Sequence, residues 1–373
     1  MPQVFLHVGA AKTGTTYLQE LLFGARRELA RQGVLYPGGY AEAHFEAALD
    51  LRGLAFGGHQ DPGVQGRWER LVGESLAWDG RAVVISHELF GGSLEAAVDT
   101  VADAFVTAEL HVILTARDLG RQVPAMWQEQ VKNGGTRGFS RYVRRLTEEP
   151  RRGRTVQTFW RQQHLAEVAA RWCARVPPER FHLVTVPPAG SDPTLLWRRF
   201  AGVAGIDATR IDAVRPSSNR SLSYAGAELL RRVNSSLGDR LSWPAYATTV
   251  KGWFAEELLV SRDSGPHASV AVEHRDWFTS RAAGMAEQLR QLGVDVVGDL
   301  ADLEPAYGDP VDAPDPDVVV GAAADALAAL LDERARRHWT GRGNALAARA
   351  RRSPAVQRLP DGVQRWLKRR VNE

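Results

Sequence analysis

Five short apolar runs punctuate the chain, at residues 4–8, 34–36, 82–85, 110–116 and 181–186. Each is continuous rather than alternating, which is the pattern of strands buried on both faces of a parallel sheet. Between them lie stretches with apolar positions three or four apart. Leu18, Leu21 and Leu22 mark the first, and Val123, Met126, Trp127 and Val131 mark another; residues 68–76, 94–105 and 140–176 read as helix too, the last interrupted by a basic turn at 149–154. Asp192 followed by Pro193 is an N-cap and first-turn signal for a helix through Phe200, and residues 224–233 predict one more. Strand and helix thus alternate, and the fold class expected is α/β: a parallel sheet with helices on both faces. Residues 39–66 are rich in Gly, His and small side chains, including His44 and His59, and read either as a wall of a ligand site or as a surface loop.

Alternating Asp and Pro at 309–317 read as a linker. It divides an α/β domain at 1–308 from a mainly helical, arginine-rich extension at 318–373, whose alanine-rich helix covers 318–337. The sequence contains no internal repeat.

Composition adds boundaries. A chain of 373 residues, 44% hydrophobic, can bury a large core, and a net charge of +3 does not suggest a nucleic-acid partner. Cys173 is the sole cysteine, so no intramolecular disulfide forms, and no Cys/His group has zinc spacing. No apolar run approaches the roughly 18 residues of a membrane span, and no signal-peptide pattern opens the sequence. A soluble, cytoplasmic protein, bacterial by its Arg, Ala and Gly usage, is the expectation. Lysine occurs only at 12, 132, 251 and 368, so Lys12 is not one of a crowd.

Candidate chemistry sits where strands end. After the first run, Gly9-Ala10-Ala11-Lys12-Thr13-Gly14-Thr15-Thr16 makes a glycine-containing loop at a helix start, with Thr15 or Thr16 available as a cap. Free amides, the helix dipole and the Lys12 charge would converge there on an anion. The order is not that of a Walker A loop. The competing reading is an ordinary strand-to-helix turn with a solvated lysine. The third run ends in Ser86-His87-Glu88, at the sheet edge where doubly wound proteins bind ligands, so His87 and Glu88 are acid–base candidates. Otherwise Glu88 caps a helix and His87 is structural. The fourth run ends in Arg117-Asp118, read either as an anion-binding arginine or as an ion pair at a helix start.

These motifs, in this order, resemble the sulfotransferase family. Ala11-Lys12-Thr13-Gly14-Thr15-Thr16 is similar to the family's P-[KR]-[ST]-G-[ST]-[ST] loop, with Ala11 in place of Pro. The resemblance implies binding of PAPS (3′-phosphoadenosine 5′-phosphosulfate), with Lys12 at the bridging oxygen and Thr13, Gly14, Thr15 and Thr16 around the 5′-phosphosulfate. Ser86-His87 resembles the T-H of cytosolic members, whose His is the base, while other members use a Glu. Both Glu88 and His87 stay candidates, Glu88 being preferred. Arg117-Asp118-Leu119 resembles the R-[DN]-P that binds the 3′-phosphate, although Ala125 stands where that family carries a Ser. Arg220, in a polar loop at 215–221, would close over the nucleotide, or the loop is simply surface. Phe200-Ala201-Gly202-Val203 resembles a structural segment of the family.

The resemblance therefore implies sulfuryl transfer to a hydroxyl or amine of a small-molecule, sugar or lipid acceptor, on a sheet of P-loop type, with no metal. Two alternatives stand: a phosphotransferase of the same fold, and a non-catalytic nucleotide-binding protein of sulfotransferase ancestry. The basic and apolar residues of 334–370 read either as a contact for an anionic membrane surface or as a segment docked on the protein's own domain.

Overall fold

The computed structural model describes residues 2–55, 61–148, 153–213, 221–262, 265–309, 311 and 313–351. Six strands make one all-parallel sheet: β1 (Gln3–His7), β2 (Val34–Leu35), β3 (Ala82–Ser86), β4 (Glu109–Ala116), β5 (Phe181–Thr185) and β6 (Asp295–Val297). Their order is β2-β3-β1-β4-β5-β6, with His7 level with Ser86 on one side and Ile113 on the other.

Both faces are covered, which explains the unbroken apolar runs. Phe5, Val84, Ile113 and Val184 point into a layer built from α1 (Thr15–Gly24), α2 (Arg26–Arg31) and α10 (Leu195–Val203), where Leu18, Leu22, Leu29, Trp197 and Phe200 meet them. Val4, Leu6, Val83, Ile85, Val112 and Leu183 point the other way. They meet α3 (Ala43–Arg52), α4 (Arg67–Leu76), α5 (Glu95–Ala104) and α9 (Leu165–Cys173) through Ala47, Trp68, Val98, Val101 and Trp172. Each large side chain removed from water in this way stabilises the fold by about 1.5–3 kcal/mol.

Further helices complete the domain. These are α6 (Leu119–Lys132), α7 (Phe139–Thr147), α8 (Arg154–Gln163), α11 (Tyr224–Leu237), α12 (Trp243–Tyr246), α13 (Val260–Arg262) and α14 (Val272–Leu292). Between α12 and α13 the backbone widens into i→i+5 turns over Ala247–Leu259. Such turns are rare and concentrate at functional sites. α6 packs against α7, α11, α14 and this wide helix. The chain divides into two compact units, Met1–Pro314 and Asp315–Glu373, the second containing α15 (Pro316–Arg351).

Several local expectations are corrected. Part of the Gly- and His-rich stretch is helical, as α3. β6 escapes a pattern reading because Asp295-Val296-Val297 is too short to show one. The helix expected from Asp192 begins at Leu195, because the Asp192 carboxylate accepts from the Thr194 amide and hydroxyl in a separate turn. α15 runs to Arg351, past the expected end at 337. His59, the basic run at 149–152 and Arg220 lie outside the described residues.

Candidate functional site

The first loop is held open by its backbone. Gly9, Lys12 and Gly14 all have positive φ, at 106°, 66° and 88°. Neither Thr15 nor Thr16 caps α1: Gly14 occupies the cap position in a left-handed conformation and Thr15 is already the first helical residue. Among the described residues, the amides of Lys12, Gly14, Thr15 and Thr16 make no hydrogen bond. They lie at the start of a ten-residue helix, where unpartnered amides and the helix dipole point the same way. Thr16 is exposed and Thr15 buried. The Thr13 hydroxyl is used inside the protein, donating to the Ala10 carbonyl and lying 2.5 Å from the Thr115 hydroxyl.

Beneath the loop runs a polar relay that the sequence did not announce. His7, fully buried in the central strand, lies with Nδ1 2.7 Å from Ser86 Oγ and Nε2 3.1 Å from Thr115 Oγ1. Thr115 in turn donates to the Gly9 carbonyl at 2.9 Å. Burial pushes the His7 imidazole down to about 4, so it is neutral and can donate at only one nitrogen. The relay ties the loop to β3 and β4. Its signal in the sequence was a lone His inside an apolar run.

The Ser86-His87-Glu88 end of β3 abuts the loop. A Cβ built on Gly9 would lie 3.0 Å from Glu88 Cα, and one on Gly91 would lie 2.5 Å from the Val8 carbonyl, so glycine permits this approach at both places. Gln19, on α1, donates to Glu88 Oε2 at 3.1 Å. The Glu88 carboxyl feels burial, which raises its pKa, but the neighbouring His87, its own amide, Gln19 and His7 outweigh this and hold it below the ordinary range. His87, rather than Glu88, is the capping residue: its Nδ1 accepts the Leu89 amide at 3.2 Å. Burial, opposed by Glu88 and aided by Arg52, holds the imidazole below its usual value. A neutral ring accepting at Nδ1 carries its proton on Nε2, which lies 4.0 Å from Glu88 Oε2. Arg52 clamps the turn by donating to the carbonyls of Leu89 and Gly92. His44 lies behind this edge. Its Nδ1 accepts the Ser86 amide at 3.0 Å and its Nε2 donates to the Pro37 carbonyl at 2.8 Å, so both nitrogens serve structure.

Arg117 is not the partner of Asp118. Asp118 instead caps α6 through the Arg121 amide and binds the Arg121 guanidinium. Arg117 donates to Gln122 Oε1 at 2.9 Å and to the Arg121 carbonyl at 3.1 Å, and among the described residues it has no ion pair. Burial, then Arg121, pushes its guanidinium down to about 10. Gln122 also donates to the Ala11 carbonyl, at 2.5 Å, so Arg117 and the loop share one intermediary.

Lys12 is ion-paired rather than free in solvent. Its ammonium lies 2.6 Å from Glu129 Oε2 on α6, and the other oxygen, Oε1, lies 3.1 Å from Lys251 of the wide helix. Lys251 also donates to Asn133 Oδ1 at 2.9 Å. Burial would raise the Glu129 pKa, but Lys12 and Lys251 hold the carboxyl far below the ordinary range. The structure thus brings Lys12, Thr13, Gly14, Thr15, Thr16, Glu88, His87 and Arg117 to one end of the sheet around β1, β3 and β4. Glu129, Lys251, His7, Gln19 and Gln122 join them without having been singled out in the sequence.

The fold and site define a parallel α/β protein with an amide-rich, lysine-bearing loop beside an ionised carboxylate. No family model matches the chain, and no curated protein matches it. Among solved structures it is similar to a sulfotransferase from Alicyclobacillus acidocaldarius, at 17% identity and a TM-score of 0.41, over 71% of this chain and 97% of that one. A likeness of that strength carries no inference about activity.

Proposed function

We propose that the protein is a PAPS-dependent sulfotransferase acting on a hydroxyl or amine. The observation that carries this reading is the meeting of the open-amide loop with Glu88, whose Cα lies 3.0 Å from where a Gly9 side chain would begin. A positive cradle and a proton acceptor stand side by side, as transfer of an anionic group to an O–H or N–H requires. The donor, when bound, supplies the sulfuryl group and departs as adenosine 3′,5′-bisphosphate.

The chain's own groups then have distinct tasks. The amides of Lys12, Gly14, Thr15 and Thr16 suit the 5′-phosphosulfate oxygens, and Lys12 suits the oxygen that gains charge as the bond to sulfur breaks. Arg117, without a carboxylate partner among the described residues, suits the 3′-phosphate. Glu88 suits the acceptor's proton better than His87 does, because His87 spends its one accepting nitrogen on the Leu89 amide.

Calorimetry with adenosine 3′,5′-bisphosphate tests the reading. The expected outcome is binding that is unchanged by EDTA and lost in Lys12→Ala with Arg117→Ala. Magnesium-dependent ATP binding with no response to the bisphosphate would favour the phosphotransferase alternative.

A further inference from the structure

In a chain holding lysine at four positions only, three of the four gather at the mouth of the loop. Lys12 and Lys251 grip the two oxygens of Glu129, while Lys132, on the same helix as Glu129, lies 3.5 Å from Glu256 of the wide helix. The ion pairs are half-buried: side-chain exposure is 36% for Lys12, 23% for Glu129 and 29% for Lys251. Attraction between them is therefore stronger than at an open surface. Lysine suits this place. It is a compact point charge on a flexible stem, able to leave one anion for another, whereas the arginine fork favours fixed bidentate geometry.

An anion entering the loop needs the ammonium that Glu129 already holds. Two negative charges would then face one cation, unless Glu129 keeps a second partner. Lys251 is that partner. We propose that Glu129 is a built-in competitor for Lys12, and that Lys251 is a positioning residue that retains Glu129 when Lys12 transfers to an incoming oxyanion. The idea rests on the reading of the loop as an anion site. It extends that reading by assigning tasks to α6 and to the wide helix, whose i→i+5 turns carry both Lys251 and Glu256.

The roles are coupled, so a double-mutant cycle separates them from simple field effects. The probes are inorganic pyrophosphate and adenosine 3′,5′-bisphosphate, titrated into the full chain. Glu129→Gln should tighten binding by about tenfold or more, since the competing charge is gone. Lys251→Met should weaken binding by about tenfold in the wild-type background and change little in the Glu129→Gln background. A Lys251 that merely attracted anions would weaken binding equally in both, and that result overturns the proposal.

The same variants carry a readout independent of any anion. With lysine labelled by nitrogen-15, at most four side-chain ammonium signals arise. Glu129→Gln should move two of them, those of Lys12 and Lys251. In the wild-type chain, pyrophosphate should shift the Lys12 signal while leaving Lys251 on Glu129. If neither probe binds any variant although Glu129→Gln still moves both signals, the anion-site reading fails and the competition fails with it. If the probes bind but Glu129→Gln leaves affinity unchanged, the competition alone is wrong.

Discussion

At the scale of single residues, the division of labour between Glu88 and His87 follows from where protons can reside. An imidazole that accepts a backbone amide through one nitrogen must be protonated at the other to stay neutral, and it cannot then take a further proton without becoming a cation beside Arg52. Glu88→Gln should reduce sulfuryl transfer to background while leaving bisphosphate affinity unchanged, because the amide keeps the shape and loses the basic oxygen. His87→Asn should cost about tenfold, through a looser turn rather than a lost base. Single-turnover rates and calorimetry on the two variants check both expectations. Equal losses in the two would make the pair act as one unit, and unchanged rates in both would remove this edge from the chemistry.

At the scale of elements, the central strand and its neighbour are held by two histidines that folding forbids to ionise. Burial pushes both His7 and His44 down to about 4. An unfolded chain binds those protons from about pH 6.5 downward and the folded chain does not, so the folded state loses ground as pH falls through that window. Each histidine adds up to about 1.4 kcal/mol per pH unit to the slope. Urea denaturation at pH 7, 6 and 5 should show stability flat near neutrality and falling below it, and His7→Asn should reduce that pH dependence, the remainder staying with His44, His87 and His111. A slope untouched by the substitution would show that His7 is not buried neutral.

Five of the six strands, the lysine loop and the two polar strand ends at Ser86-His87-Glu88 and Arg117-Asp118 were legible in the sequence because each rests on local pattern: a continuous apolar run, a pair of glycines, a polar residue at a boundary. What escaped has the opposite character. Glu129 reads as one polar position on a helix, and only the folded chain sets it between Lys12 and Lys251, which lie more than one hundred residues from it on either side. His7 reads as an interruption of an apolar run, since its partners Ser86 and Thr115 come from two other strands. The residues that hold the site are joined by tertiary contacts, and no periodicity records those.

On the scale of the whole molecule, Met1–Pro314 and Asp315–Glu373 are separately compact, and every site residue described lies in the first. A chain ending at Pro314 should therefore fold and keep its bisphosphate affinity; thermal denaturation and calorimetry check this. Among the described residues no helix is long and apolar enough to cross a membrane. The membrane-surface proposal for the basic tail, much of it beyond the described residues, is tested by floating both chains on anionic vesicles, equal behaviour of the two removing it.

The position of β1 has a consequence for how the protein comes into being. The central strand is the first of the six to be synthesised, yet its two neighbours are β3 and β4, and His7 meets Ser86 and Thr115 only across 79 and 108 residues of chain. At about 5–20 residues per second, the nascent strand waits several seconds to tens of seconds with both edges bare. The loop that follows it can be tied to β4 only after Thr115 has left the ribosome. Until then the segment most central to the finished protein is the one most open to chaperones and to other chains.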